Sequence, residues 1–456
     1  MTATAQHRDA GADRRRHLSR TAQGELHLPA DRDPVAIIES QHASRLQELV
    51  PVRVGRMLQS PFAYYRGTAA VMAADLAGAP STGIDVVSCG DAHVSNFGFF
   101  ASPERDLIFD LNDFDEGAVG PWEWDGRRMA GSVHVGGRHI GMSESACVAA
   151  TTGAVRGYRE GLAEMVGLSA VERYFTRADE SDVETFLGTV GAKAARKARR
   201  RTSEQVLEKL SCRTSGGEVR IVDQPPIATH VDHASREELS SLFEQYRTTL
   251  REDTRYLLSQ YEVVDYVLRV VGVGSVGTRC YLLALRGPAG DTLFLQAKEA
   301  QRSVLVTHGG RRSALPGAPG AAVRNQGHRV VAAQRILQAQ SDPFLGYIRG
   351  WAGDAEPRHR VDYYWRQFRD MKGGVDPAVL TGPQLTAYAG LCGRLLARAH
   401  AQSPGGAEIA GYLGRSDRFD RAVARWSAAY ADVNEADYAA LRKAASTGRV
   451  PVEYDA

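Results

Sequence analysis

Hydrophobic and polar positions follow two different periods along this chain, and the changes of period divide it. Residues 1–32 mix Arg, Asp, Ala and Gly with no repeat of either kind, and the run Arg14, Arg15, Arg16 adds charge; a disordered tail is expected. From Pro34 to Leu76 the spacing is helical, carried by Ile37, Ile38, Leu46, Leu49 and Val50 and broken at Pro51 and Pro61. The apolar run Ile84-Asp85-Val86-Val87 ends in a polar loop at 88–96. Two short strands follow, Phe97–Phe100 and Leu107–Leu111, joined by the turn Ser102-Pro103-Glu104-Arg105. Residues 125–258 read as predominantly helical, most clearly at Glu237–Tyr261.

The period changes near Glu262. Val267–Val271, Arg279–Arg286 and Asp291–Ala297 read as strands, the last two joined by Gly287-Pro288-Ala289-Gly290. A loop rich in Gly, Pro, Arg and Ala at 308–322 leads to a helix at 324–339. Two further strands, Phe344–Trp351 and Val361–Phe368, precede helices at 383–402 and 416–445. The division is therefore a tail at 1–32, a helical segment at 33–83, a mainly helical unit at 84–261, a β-rich unit at 262–370 and closing helices at 371–456.

Composition narrows the class. At 456 residues and 43% hydrophobic, the chain can form two or three packed units without metals or disulfides. A net charge of +2 argues against nucleic acid as the main partner. No run reaches the roughly 18–20 apolar residues of a membrane span, and no apolar run follows the N-terminal charges as in a secretion signal. The five cysteines are scattered, which fits a reducing compartment; a cytoplasmic location is expected. Only six residues are lysine, and Lys298 is the only one between Lys209 and Lys372.

Gly272-Val273-Gly274-Ser275-Val276-Gly277 fits G-x-G-x-x-G, a weak signal among 46 glycines. A dinucleotide fingerprint needs a helix directly after the loop, but Thr278–Leu285 reads as a strand. A strand–glycine turn–strand is instead a flap whose backbone N–H groups approach nucleotide phosphates, and its third strand should carry one lysine toward the α/β-phosphates. Phe294–Ala300 supplies Lys298 at that place. Gly272, Gly274, Ser275, Gly277 and Lys298 are thus the candidate nucleotide-binding residues.

The loop Cys89–Asn96 places Asn96 five residues after Asp91, directly beyond an apolar strand. A carboxylate that orients a hydroxyl and an amide oxygen that holds a metal are both needed in phosphoryl transfer. His93, between them, either orients Asp91, touches phosphate or is structural. The hairpin then delivers Leu107–Glu116, where Asp110 and Asp113 are rival Mg²⁺ ligands beside Asn96. His230 and His233 flank Asp232 but lack a third metal ligand in the sequence.

These residues resemble kinase-fold phosphotransferases of the aminoglycoside and choline type, whose catalytic loop reads H-G-D-x-H-x-x-N; Cys89 stands where that His would be. More closely, the chain resembles the bacterial DUF2252 family, through SPFAYYRG at 60–67, CGDAHVSNFG at 89–98, FDLNDFDEG with GPWEWD through Asp125, LQAKEA at 295–300 and RQFRDMKG at 366–373. The resemblance implies an α+β, protein-kinase-like two-lobed fold. It also implies a circular permutation, because Lys298 follows Asp91 by about two hundred residues instead of preceding it.

The implied activity is ATP- and Mg²⁺-dependent phosphotransfer to a hydroxyl of a small molecule or peptide. In that reading Asp91 is the base, Asn96 with Asp113 or Asp110 holds the metal, Asp125 braces the loop, and adenine lies near Gln367–Asp370, with Gln367 and Arg369 as contacts. AMP transfer on the same fold and a nucleotide-binding regulator without turnover are the alternatives. Related folds pair the lysine with a Glu on the next helix. Helix 324–339 has no acidic residue, which leaves Gln334, Glu299 or Asp342 as the expected partner.

Overall fold

The computed structural model of the chain describes residues 3–202, 209–213, 219–225, 227–270, 274, 276–311, 325–353 and 359–454. It is a mixed α+β structure in which every paired strand is antiparallel. The strands are β1 (Asp85–Ser88), β2 (Phe97–Ala101), β3 (Leu107–Leu111), β4 (Ala118–Pro121), β5 (Ser211–Arg213), β6 (Val219–Ile221), β7 (Ala228–Thr229), β8 (Glu262–Arg269), β9 (Cys280–Arg286), β10 (Thr292–Glu299), β11 (Gly346–Trp351), β12 (Arg360–Gln367) and β13 (Gly373–Gly374). Six of them form one sheet in the order β11-β12-β10-β9-β8-β7. The β9–β10 hairpin turns through Gly287–Gly290, as the Gly-Pro-Ala-Gly run predicts, with Gly287 N–H donating to the Asp291 carbonyl at 2.9 Å. The β2–β3 hairpin likewise turns at Ser102–Asp106 and is extended by β13.

The largest core joins three helices, Trp122–His139, Glu144–Gly167 and Gly382–His400, to the β2–β3 hairpin. Trp122 is fully buried there and stacks on Tyr158 at 5.7 Å, while Trp365, on β12, is buried against Tyr246 at 4.6 Å on one face of the six-stranded sheet. These tryptophans and Trp124 are core residues.

Three expectations need correction. The segment read as a disordered tail is folded from Ala3 onward: Ala3–Asp13 is a helix against Gly406–Leu413, and Gln23 is fully buried. It packs without an apolar stripe, through close backbone approach at Gly11 and Gly411, and polar contacts hold the residues that follow it. Arg15 Nε and Arg20 Nη1 donate to the carbonyls of Tyr412 and Leu413, at the helix end where carbonyls lack partners, at 2.8 and 2.7 Å. Arg32 is clamped between Asp75 and Asp437. Second, Glu237–Tyr261 is two helices, Arg236–Arg247 and Glu252–Leu258, and the region before it contains β5, β6 and β7. Third, Pro51 and Pro61 begin helices instead of interrupting one, since a first-turn proline loses no helical hydrogen bond. The helices so started are Val50–Met57 and Pro61–Gly67, and the helix before them is Pro34–His42.

Candidate functional site

A cleft of about 750 Å³ opens between the 88–117 segment, the start of β9, the end of β10 and the N-terminal helices. It brings Asp91, His93, Asn96, Asp113 and Gly274 to one space, along with Asp115, Glu116, Arg45, Arg53 and Arg66. The loop that carries Asp91 is strapped from behind. Asp125, on the first turn of helix Trp122–His139, accepts the N–H groups of Cys89 and Gly90 at 2.7 and 2.9 Å. His400 lies 3.2 Å from the same carboxylate, and Tyr158 holds the other nitrogen of its ring at 2.8 Å. Gly90 has φ +81°, and a Cβ there would stand 2.2 Å from the Glu116 carbonyl, so the turn admits only glycine.

Asp91 keeps about 20% of its side chain exposed while Arg128 Nε donates to its Oδ1 at 2.7 Å. Burial pushes this carboxyl up, and Arg128 opposes the shift. Arg128 is itself fixed by the Tyr65 carbonyl at 2.6 Å and by the Tyr65 ring beneath it. His93 Nε2 is 3.7 Å from Asp91 Oδ2; burial, with Arg128 and Arg66 nearby, pulls its pKa well down. Asn96 Nδ2 donates to the Asp91 carbonyl at 2.6 Å, which leaves its side-chain oxygen as an acceptor.

Lys298, on β10, lies opposite Cys280 and Tyr364 in the sheet and is buried. Its Nζ pairs with Asp115, whose other oxygen accepts the Tyr364 hydroxyl at 2.7 Å. Burial disfavours the Lys298 charge, but Asp113 and Asp115 outweigh it and raise its pKa. None of the three expected partners takes this role. Gln334 donates to Gln338, Glu299 pairs with Arg279, and Asp342 accepts the N–H groups of Phe344 and Gln367. In helix Gln326–Leu337 the side chain that reaches this region is Arg329, which donates to the carbonyls of Asp115, Gly117 and Gln301. Lys372, next to Arg366 and Asp113, is pulled down to about 7 by burial.

The two rival metal ligands are separated by this geometry. Asp113 lines the cleft, and burial with the neighbouring Asp115 raises its carboxyl pKa, so the pair favours added positive charge. Asp110 is 1% exposed, away from the cleft, with its oxygens on the N–H groups of Leu111 and Ala339 at 2.8 and 2.9 Å. It anchors backbone, and the expectation that it could hold magnesium is corrected. Among the described residues, no three His, Cys, Asp or Glu side chains are grouped to hold a metal. Mg²⁺ does not need three; one or two protein oxygens plus phosphate and water suffice, and Asn96 with Asp113 can supply them.

Of the glycine loop, Gly272, Val273 and Ser275 lie outside the described residues. Gly274 lines the cleft, and Gly277 has φ +86°. The loop joins two antiparallel strands and opens no helix, which excludes the dinucleotide arrangement. Gln367 and Arg369 do not line the cleft, and the Gln367 and Phe368 N–H groups already donate to Asp342 and to the Phe294 carbonyl. The adenine contact expected there is therefore not formed by those N–H groups. His230 sits between Asp223 and Asp265, its Nδ1 2.8 Å and its Nε2 3.2 Å from their carboxylates. Sequence reasoning missed Asp115, Arg128, Arg329, His400, Arg45 and Arg53; Arg66, which the SPFAYYRG stretch offers as either an internal ion-pair anchor or part of the acceptor pocket, lines the cleft with no ion-pair partner among the described residues. Only Arg128 had a local signal, one helical turn after Asp125.

No helix among the described residues is long and apolar enough to cross a membrane. The family described as "Uncharacterized protein conserved in bacteria (DUF2252)" matches residues 45–444. No curated protein and no solved structure matches the chain.

Proposed function

From the premise that the chain belongs to the DUF2252 family, we propose that it is an ATP- and Mg²⁺-dependent phosphotransferase acting on a hydroxyl of a small molecule or peptide. One observation carries this reading. Asp91, Asn96 and Asp113 share a cleft with a glycine-bearing strand turn, beside a buried lysine paired to Asp115, although the two sets are about two hundred residues apart in sequence. Phosphoryl transfer asks for such a set: an acceptor-facing carboxylate, metal-holding oxygens and a phosphate-facing cation.

In this reading Asp91 orients the acceptor hydroxyl and takes its proton, with Arg128 fixing the carboxylate. Asn96 and Asp113 would hold Mg²⁺, which screens charge on the phosphates. Lys298 releases part of its hold on Asp115 to the α/β-phosphates, and the 272–277 loop covers them. This reading takes the chain as a two-lobed, kinase-like fold in circular permutation, and it is supported by the contact of helix Gly382–His400 with the strap of the Asp91 loop, through His400 and Asp125. A nucleotide-binding regulator without turnover is the second reading, favoured by Arg329 standing on the helix where a lysine-pairing Glu would be expected.

The test is incubation of the full chain with labelled ATP, Mg²⁺ and a small-metabolite extract, followed by mass analysis. A product heavier by one phosphoryl group, lost in Asp91→Ala, is the expected result. A gain of one adenylyl group assigns AMP transfer, and ATP binding with no product in any extract assigns the regulator.

A further inference from the structure

The N-terminal helices give the cleft a wall of three arginines, Arg45, Arg53 and Arg66, that no carboxylate neutralises within ion-pair distance among the described residues. Arg53 is 1% exposed and Arg45 8%. Arg53 Nη2 donates to Gln41 and to the Gly67 carbonyl, at 2.9 and 3.3 Å, but its Nε and Nη1 are buried without a partner. Arg45 Nη1 is spent on the Val276 carbonyl next to Gly277, and its Nε is buried without a partner, as is Nε of Arg66. Four of the acidic side chains that line the same cleft are engaged elsewhere. Asp91 is held by Arg128, Asp115 by Lys298, Glu299 by Arg279, and Glu116 by the Val304 N–H.

A buried guanidinium with unmet donors and no counter-ion is costly unless a ligand completes it. Guanidinium forks match the paired oxygens of a phosphate or carboxylate. The three arginines do not stand alike. Arg45 is tied to the glycine turn, whereas Arg66 belongs to helix Pro61–Gly67, which touches the Asp91 side through Tyr65 and Arg128. Arg53 joins that side through the Gly67 carbonyl.

We infer that Arg53 and Arg66 form an oxyanion site for the second substrate, so that the hydroxyl acceptor itself carries a phosphate or carboxylate group. The oxyanion site stands on the unpartnered arginines; its assignment to an acceptor rests on the phosphotransferase reading. It narrows the acceptor from any alcohol to an anionic one, and it excludes neutral sugars and amines that lack such a group.

The probe is inorganic phosphate, titrated calorimetrically into the full chain with and without Mg²⁺ and a non-hydrolysable ATP analogue. Wild type is expected to bind phosphate in both conditions. Arg53→Met and Arg66→Met should each weaken phosphate by about tenfold or more while leaving the ATP analogue within about twofold. Arg53→Lys should recover part of the phosphate binding, because it restores the charge without the fork. If phosphate competes with the analogue, and the methionine variants lose the analogue, the arginines hold the nucleotide's terminal phosphate and the acceptor assignment is overturned. If wild type binds no phosphate, or the Arg66→Met variant binds it unchanged, the oxyanion site is overturned. Phosphate binding without any binding of the analogue would overturn the phosphotransferase reading, and the acceptor assignment with it, while leaving the oxyanion site intact.

Discussion

Two groups of cations stand around the same cleft, Arg53 and Arg66 lining it and Lys298 and Arg128 behind the carboxylates that line it, and the fold treats them differently. Lys298 and Arg128 meet carboxylates, Asp115 and Asp91, inside the protein. Arg53 and Arg66 meet none, and each leaves donor nitrogens buried without a partner. A paired cation is part of the scaffold: its geometry is set before anything binds, and removing it leaves its partner uncompensated. An unpaired one weakens the empty protein and strengthens the occupied one. The β10 side is therefore preorganised, and the N-terminal wall holds the unmet demand.

The comparison breaks most visibly at Asp91. Asp91→Ala should lower kcat by roughly 10²–10⁴-fold, the range for general-base positions, with nucleotide affinity nearly unchanged. Turnover and nucleotide titration measured separately check this, and full turnover in the variant contradicts it. Lys298→Met comes next. It leaves Asp113 and Asp115 together without their cation and should cost about 3 kcal/mol, the lower end for a broken buried pair, since Asp115 is 25% exposed. The denaturant midpoint should fall accordingly. Arg53→Met sharpens the contrast, because it removes an unpaired charge: the ligand-free protein should stay within about 1 kcal/mol of wild type. A loss as large as that of Lys298→Met would show that the two groups are not different in kind.

A further contrast is a pH dependence. Glu116 is raised to about 7 by burial, against the opposing Val304 N–H and Arg329. A carboxyl whose folded pKa exceeds its unfolded value of about 4.5 contributes stability below pH 4.5 that is lost as pH rises through about 7. Glu116→Gln keeps an acceptor for the Val304 N–H and cannot ionise. Its denaturant midpoint should therefore fall less than that of wild type between pH 5 and pH 8, and parallel curves would contradict this.

Much of the β structure was legible because it is written locally. The β2–β3 and β9–β10 hairpins are short, largely apolar runs joined by turn residues, and they form where those signals stand. The Asp91–Asn96 loop and Lys298 were legible from residue type and spacing, since few residues fit their places. Contacts between distant segments were not. Lys298 and Asp115 are 183 residues apart, and no local pattern links them. The helix Ala3–Asp13 lacks an apolar stripe, so periodicity could not find it; Gly11 and Gly411 let it pack closely on Gly406–Leu413, and Arg15 and Arg20 beyond its end bind that helix's carbonyls. The arginine wall is divided among the 42–49 segment and the helices Val50–Met57 and Pro61–Gly67, whose mutual placement is a tertiary fact.

The most direct test is a structure of the full chain with Mg²⁺ and a non-hydrolysable ATP analogue. The account predicts nucleotide in the cleft, Lys298 on its α/β-phosphates, and a metal held directly by Asp113 and Asn96 at about 2.0–2.1 Å, or through one bound water. It also predicts Asp91 directed at the terminal phosphate, with its Arg128 contact intact. Nucleotide bound away from Asp91, or a metal reached by neither Asp113 nor Asn96, would contradict it.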